Sequence, residues 1–478
     1  MTLKKGQVAG LATGLLAFAL VALVPSGLHE VAGFGHRPAL AAGVTLAMSI
    51  FWLTECIDIS FTALIPLLAF PLLGVFGKGL WGDVVKTGEE FVNAYIFLFL
   101  GGMALGAAME HWNLHRRIAL TVMRSIGTSP PRLMFGLLLA TAAVSMWISN
   151  TATAVMMTPI AVAILSELQL RTGQPLKRYG MLLLLGVAWG SNLGGVGTKI
   201  GTATNSIFVN FMSTTLKRDI GFVEYLTIGL PFVGLMLPVV WLVMWWQGRV
   251  DAPAGDTSRE LIEAQLKALG SMGREEKRVA WAFGLAALFW VLGDPIRSAL
   301  EPLWGRPIAN RHYEAAVAMA AAGLAWLLRA MPLGAVKRIP VTGLLLLGGS
   351  FAMAAGIEGS GLASWLGVQL KPLNTLSVPV QYLVVSGVTI FASAFASNTA
   401  TAAVFLPLLP HSPALLSTVA IGSSCDYALP AGTPPNAIVF GTGKISLPLM
   451  MRLGVMLDGV TALVLAGYGG LYLRWLLE

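Results

Sequence analysis

Two short polar clusters hold the chemistry that this chain has to offer. The run Ser149-Asn150-Thr151-Ala152-Thr153-Ala154 returns unchanged as Ser397-Asn398-Thr399-Ala400-Thr401-Ala402, 248 positions on, each time inside apolar surroundings. A serine stands four residues before each, Ser145 before Ser149 and Ser393 before Ser397. On a helix that spacing puts both hydroxyls on one face, a turn apart. With an Asn carbonyl and the free main-chain carbonyls of an interrupted helix they compose an all-oxygen cage for a hard monovalent cation. Asn150, Thr151, Asn398 and Thr399 add side-chain donors, and a half-helix starting at the cluster adds N–H groups at its positive end, which attracts an anion. Cation and anion thus share one pocket.

A single cluster would mean little, since small polar residues commonly just let membrane helices approach closely. Here two further landmarks repeat in the same order. "LGGMALGAAME" (100–110) matches "LGGSFAMAAGIE" (347–358), so Glu110 and Glu358 stand the same 248 positions apart, and "GTATN" (201–205) matches "GTPPN" (432–436). Gly201 and Gly432, with Pro434 and Pro435, are helix breakers inside otherwise apolar segments. Three landmarks in one order point to a duplication.

The elements that must position these residues lie in a membrane. The chain is 56% hydrophobic and 11% charged, with a mean hydropathy of +0.75, too apolar to cover a soluble globule. Apolar runs close to the roughly 20 residues of a spanning helix recur along it. The first follows Lys4 and Lys5 but has no Ala-x-Ala cleavage site before Pro25 and is followed by more spans, so it is read as a retained helix. The net charge of +8 comes from basic residues in short loops, which orient a membrane chain rather than bind nucleic acid. With the amino terminus in the cytoplasm, Arg116, Arg117, Arg171, Lys177, Arg178, Lys337 and Arg338 lie inside. Cys56 and Cys425 offer neither a disulfide framework nor a zinc site.

Residues 1–37 make an amino-terminal helix; 38–248 and 279–478 are two repeats; 249–278 is a polar cytoplasmic connector in which Asp256 or Thr257 caps a short amphipathic helix ending at Gly270. Five spans and a cluster segment per copy force the second copy to enter from the opposite side, so the repeats are inverted. The cluster segments, 129–168 and 377–410, are too long for one span and too short for two, and read as re-entrant hairpins with Ser-Asn-Thr near the tip. Such a tip is tolerated only when buried in protein or lining a wet cavity. The Gly-Thr breaks interrupt helices over 180–215 and 413–441. Glu55 and Asp58 are expected at a helix end, Glu110 and Glu358 as matching caps or hinges, and His111 and His115 at the interface.

The paired clusters and breaks, with "NLHRRIAL" (113–120), "TALIPLL" (62–68) and "LPAGTPPNAIVFGTG" (429–443), resemble the divalent-anion/sodium symporters, carriers of di- and tricarboxylates. The resemblance runs from about Phe51 to the end. It implies an all-α polytopic membrane protein of about eleven transmembrane helices and two hairpins, a homodimer in the plasma (inner) membrane, and elevator-type movement of a transport domain. It also implies one sodium on Ser145, Ser149, Asn150 and the Gly201 backbone, a second on Ser393, Ser397, Asn398 and the Gly432 backbone, and carboxylate contacts from Asn150, Thr151, Thr202, Asn398, Thr399, Thr433 and Pro434.

Two charges depart from the pattern. Lys199 precedes Gly201 in the first break and Asp426 precedes the second; a lysine at membrane depth costs at least about 2.5 kcal/mol, which makes function its default explanation. Lys199 reaches a water-filled vestibule, pairs with Asp426, or stands in for a sodium or touches substrate; in the last case anion exchange is favoured over sodium symport. The leading expectation is sodium-coupled transport of succinate-like dianions. Sodium-independent exchange, or carriage of another divalent oxyanion such as sulfate, is the first alternative. A cation/proton antiporter is more distant, since it needs a titrating carboxylate where this chain has Ser, Asn and Thr. No Gly-x-Ser-x-Gly elbow or His-Glu-x-x-His pair is present to support an enzyme.

Overall fold

The computed structural model describes residues 5–254 and 259–478. Among these the chain is helical, as it must be where lipid offers the backbone no hydrogen-bond partners. The amino-terminal segment is α1 (Lys5–Leu23), and after it come α2 (Arg37–Thr54), α3 (Ile59–Leu73), α4 (Gly79–Glu89), α5 (Ala94–His111) and α6 (Leu114–Ile126), then α7 (Pro130–Ser145), α8 (Asn150–Thr172), α9 (Lys177–Gly195), α10 (Ala203–Thr214) and α11 (Phe222–Gly248). The connector holds α12 (Arg259–Ala268), closed by Gly270 at φ +65°; its expected caps, Asp256 and Thr257, lie outside the described residues. The second half contains α13 (Arg274–Val291), α14 (Gly293–Trp304), α15 (Asn310–Leu327), the single turn α16 (Leu333–Val336), α17 (Val341–Gly359), α18 (Leu362–Gln369), α19 (Val378–Phe395), α20 (Asn398–Leu408), α21 (Pro413–Gly422), α22 (Pro434–Phe440), α23 (Leu447–Gly467) and a last turn, α24 (Arg474–Leu477). By length and composition seven helical stretches among the described residues can cross a membrane, or eight if α13 and α14, bent by 75°, count as one span.

Both cluster segments fold as two helices meeting at Ser-Asn-Thr, α7 with α8 and α19 with α20. The arms are unequal: α8 runs on to Thr172, past the expected 168, whereas α20 has 11 residues. At 1.5 Å per residue α20 reaches only about 16 Å, half of a bilayer core. The two breaks separate α9 from α10 and α21 from α22.

The helices pack in two groups that meet where α17 lies on α10 and α20 and where α6 lies on α7. In one, α1, α2 and α3 lie in succession, α17 packs on α3, and α15 packs on α5 and α13. In the other, α9 packs on α7, α8 and α11, and α19 packs on α21 and α23. The repeats interlock here: α22 of the second lies on α8 and α9 of the first, while α10 of the first lies on α20 and α21 of the second. Each hairpin is thus braced by a half-helix from the other repeat.

Small residues make this close approach possible. Gly190 and Gly194, spaced as Gly-x-x-x-Gly, set α9 directly on Leu138 and Ala142 of α7. A matching device presses on each break: a Cβ on Gly229 of α11 would stand 2.4 Å from Val196 O, and one on Gly454 of α23 would stand 2.2 Å from Ala428 Cα. The connector docks through Arg117 of α6, whose Nε donates to Glu276 Oε1 at 2.6 Å. His115, expected at the interface, is instead buried under α6, with Nδ1 3.2 Å from Met109 O.

The Gly194 contact generates a prediction. A Cβ there would lie 2.2 Å from Ala142 O, so Gly194→Val has to push α9 off the hairpin. The variant loses about 1–3 kcal/mol of stability, seen as a lower unfolding temperature of the detergent-solubilised protein. Gly234→Ala, where a Cβ meets nothing within 4 Å, leaves that temperature unchanged.

Candidate functional site

At the first hairpin tip, Ser145 is buried in the last turn of α7 and its Oγ stands 2.9 Å from Asn150 Oδ1 and 2.7 Å from Ser191 O of α9. The second tip repeats this: Ser393 Oγ is 3.1 Å from Asn398 Oδ1 and 2.5 Å from Ser423 O. A hydroxyl has one proton to donate and here faces two acceptors. Each tip therefore gathers three oxygens around a single proton, a donor set that a hard cation completes. Ser149 and Ser397 cap α8 and α20, accepting the amides of Ala152 at 3.4 Å and Ala400 at 3.2 Å. Their hydroxyls retain a lone pair for a cation and stiffen the tips as N-caps do.

The breaks are held open by one repeated device. Asn205 Nδ2 donates to Gly195 O at 2.8 Å and Thr198 O at 2.7 Å, and Asn436 Nδ2 meets Asp426 O at 3.5 Å and Leu429 O at 3.0 Å. Each amide replaces the helical bonds that its break gives up. Thr198 Oγ1 ties the first break to the hairpin tip through Met146 O at 2.5 Å. Across the repeats, Asn192 Nδ2 donates to Thr433 Oγ1 at 2.9 Å, Thr204 Oγ1 meets Ser424 Oγ at 3.0 Å, and Trp189 Nε1 donates to Tyr427 O at 3.3 Å. Asn192, Asn205, Asn436 and the carbonyls of Ser191 and Ser423 were not singled out from sequence, although Asn205 and Asn436 end the repeated Gly-Thr-x-x-Asn phrase that marks them.

The expected site residues differ in access. Gly201 and Gly432 are buried in the breaks, and a Cβ on Gly201 would come 2.4 Å from Gly195 O. Thr151 and Pro434 are exposed, and Asn150, Thr202, Asn398 and Thr399 are half-buried. Thr433 is buried, its hydroxyl already accepting from Asn192 and from the Asn436 amide at 3.2 Å, which leaves only its own proton to offer an anion. On α8, Thr151, Val155 and Pro159 form an exposed stripe leading from the tip. Pro159 lines a cleft with Glu110 and Arg338, paired at 2.8 Å. Its counterpart Pro407 lines a second cleft with Glu358, which accepts from Thr215 Oγ1 at 2.9 Å. Glu110 and Glu358 thus face matching clefts beside the hairpins. Asp58 caps α3 through the Ser60 amide at 2.8 Å, as expected of a helix-end acid.

Lys199 does not pair with Asp426. Its Nζ, fully buried, donates to Glu314 Oε2 at 2.6 Å and to Ile220 O at 2.5 Å, and lies 5.5 Å from the centre of the Tyr95 ring. It reaches no vestibule, and no residue of the Ser145–Asn150 cage is among its hydrogen-bond partners. Glu314, on α15 of the other bundle, carried no motif that would have flagged it. Around the pair, Asp219 accepts from Tyr95 Oη and, through its main-chain oxygen, from Asn310 Nδ2, both at 2.9 Å.

The chain matches the family described as the sodium:sulfate symporter transmembrane region over residues 6–478. It is 35% identical to a protein of Staphylococcus saprophyticus named sodium-dependent dicarboxylate transporter SdcS, covering 97% of this chain and 91% of the relative. A protein of the same name from Staphylococcus aureus strain NCTC 8325 is 34% identical over 96% of this chain and 90% of its own length. Among solved structures, the Alcanivorax borkumensis YdaH transporter shares the fold, with a TM-score of 0.58 at 17% identity over 83% of this chain and 89% of that one.

The Lys199–Glu314 pair predicts an asymmetry between single and double variants. Lys199→Met leaves a buried carboxylate unpaired and costs about 3–5 kcal/mol, whereas Lys199→Met with Glu314→Leu recovers most of it. Unfolding temperatures of the two single variants and the double variant check this; additive losses would mean that the pair is not formed.

Proposed function

This chain belongs to the sodium:sulfate symporter family, and from that premise we propose that it is a secondary-active carrier of small dicarboxylates coupled to sodium, as the names of its relatives say of them. The observation that carries the proposal is the pair of matched oxygen cages, each at the amino-terminal end of a hairpin helix, α8 or α20, and each braced by the other repeat. Sodium is cargo here. One ion takes Ser145, Ser149, Asn150 and the Gly201 backbone, and the other takes Ser393, Ser397, Asn398 and the Gly432 backbone.

The dianion meets Asn150, Thr151, Thr202, Asn398, Thr399, Thr433 and Pro434, with the amino-terminal ends of α8 and α20 turned toward its carboxylates. No described arginine or lysine side chain enters that set, so the charge of the substrate is balanced by the ions bound beside it and by helix dipoles. Sodium therefore has to bind before or with the anion, because an anion alone would face amides and hydroxyls without a countercharge. The commitment of Lys199 to Glu314 supports symport over exchange, since this lysine does not supply a substitute positive charge to the cages.

Around this site we place eleven spans and two re-entrant hairpins, with the amino terminus in the cytoplasm and a homodimer in the plasma membrane. The bundle of α7–α11 and α19–α23 moves against the bundle of α1–α5 and α13–α17 in elevator fashion.

Labelled succinate in proteoliposomes tests this. An inward sodium gradient drives uptake into the wild type, and unlabelled succinate in a sodium-free lumen does not. Asn150→Ala and Asn398→Ala each lower uptake about tenfold or more, the loss expected when a hydrogen bond to a charged group is removed. Uptake that needs preloading and ignores sodium would replace symport with exchange, and competition by sulfate but not by malate would move the substrate class.

A further inference from the structure

Among the described residues one buried carboxyl group lacks a partner. Asp426, in the break between α21 and α22, is 0% exposed, and neither carboxylate oxygen holds a full hydrogen bond, although the Leu429 amide comes near. Lys199 is engaged by Glu314. An ionised carboxylate removed from water is paired, protonated or bound to a metal ion.

The repeat shows where this carboxylate sits. The bonds of Asn205 to Gly195 O and of Asn436 to Asp426 O relate the two breaks by 231 positions, the separation of Gly201 and Gly432. Asp426 therefore stands where the first repeat has Gly195. At that glycine a Cβ would lie 2.2 Å from Asn150 Oδ1, so in the first repeat this position faces the cage, and the missing side chain makes room for the cage amide. In the second repeat a carboxylate emerges from the same position and rests on the Cα of Gly432, where a Cβ would stand 2.4 Å from Asp426 Oδ2. Two more oxygens lack partners beside this turn. Asn192 and Asn436 are both fully buried, each with its Nδ2 near Asp426 O, at 3.4 and 3.5 Å, and each with an orphaned Oδ1. Asp458 is the neighbouring acid, its Oδ1 taken by the Tyr427 amide at 2.9 Å.

We propose that Asp426, with the amide oxygens of Asn192 and Asn436, joins the Gly432 backbone in ligating the sodium of the second repeat, so that this repeat binds its cation at a fixed negative charge while the first binds with neutral oxygens alone. One carboxylate among amide oxygens suits a monovalent ion. A divalent site draws on several acidic groups, and among the described residues no group of three His, Cys, Asp or Glu side chains gathers that would hold a metal. The two sodium sites are then unequal, the second filling at lower sodium concentration and before the anion arrives.

This inference rests on the sodium-coupled function and deepens it. The test uses the full-length protein in detergent without substrate, following its unfolding temperature as sodium chloride replaces choline chloride at constant ionic strength. In the wild type, sodium raises that temperature with a saturable midpoint. Asp426→Asn moves the midpoint about 10–100-fold higher, the range for disturbed metal ligation, and in sodium-free buffer it unfolds at or above the wild-type temperature, because an unpaired buried charge is gone. A merely structural role would lower the unfolding temperature in both buffers and leave the midpoint in place. Asp426→Gly, which restores the residue of the first repeat, gives the same shift and serves if the Asn variant does not fold. A wild-type midpoint in either variant overturns the assignment of Asp426 and leaves symport standing, whereas a wild type with neither sodium-dependent stabilisation nor sodium-driven uptake overturns both.

Discussion

Unwound backbone at membrane depth has to find its hydrogen bonds inside the protein, and the rest of this architecture follows from that constraint. Two hairpin tips and two helix breaks expose main-chain groups that a continuous helix would have satisfied. Asn205 and Asn436 take up the carbonyls of the breaks, Ser149 and Ser397 take up amides at the tips, and α10 and α22 each cross to cover the hairpin of the other repeat. What remains unsatisfied is a concentrated set of oxygens. The site proposed above is the residue of that accounting.

Duplication supplies the second half of each solution, and the two halves have diverged where charge is concerned. Gly195 and Asp426 occupy matching places with opposite consequences for the local field. Lys199 has no counterpart in the second break, where Pro430 stands. The Ser-Asn pairs, by contrast, keep the same contacts to within a few tenths of an ångström. Geometry is shared between the repeats and charge is not.

Much of this was legible in the sequence because it was local or repeated. Asp58 announces a helix start by type and spacing, and the two Ser-Asn-Thr runs announce hairpin tips because too many apolar residues surround them for one span and too few for two. The Gly-Thr-x-x-Asn phrases marked both breaks. The partner of Lys199 was not legible: Glu314 lies 115 positions away at the start of an ordinary apolar helix, where an acidic residue raises no expectation, and only the packing of α15 on α5 brings it near. His115 was misplaced for a related reason, since beside Arg116 and Arg117 it looks interfacial, but the amphipathic α6 turns it inward onto Met109 O.

Lys199 belongs to the bundle that holds the cages, and Glu314 belongs to the other. Helix faces lined by apolar side chains slide past one another over a nearly level energy surface. A charge pair shut away from water does not, because its attraction is steep at contact and neither ion tolerates being left alone in a low dielectric. Set on the seam between the bundles, this pair fastens one to the other in the arrangement seen here, and for the elevator movement proposed above it is a detent, resisting the first ångströms of travel and turning a glide into a click.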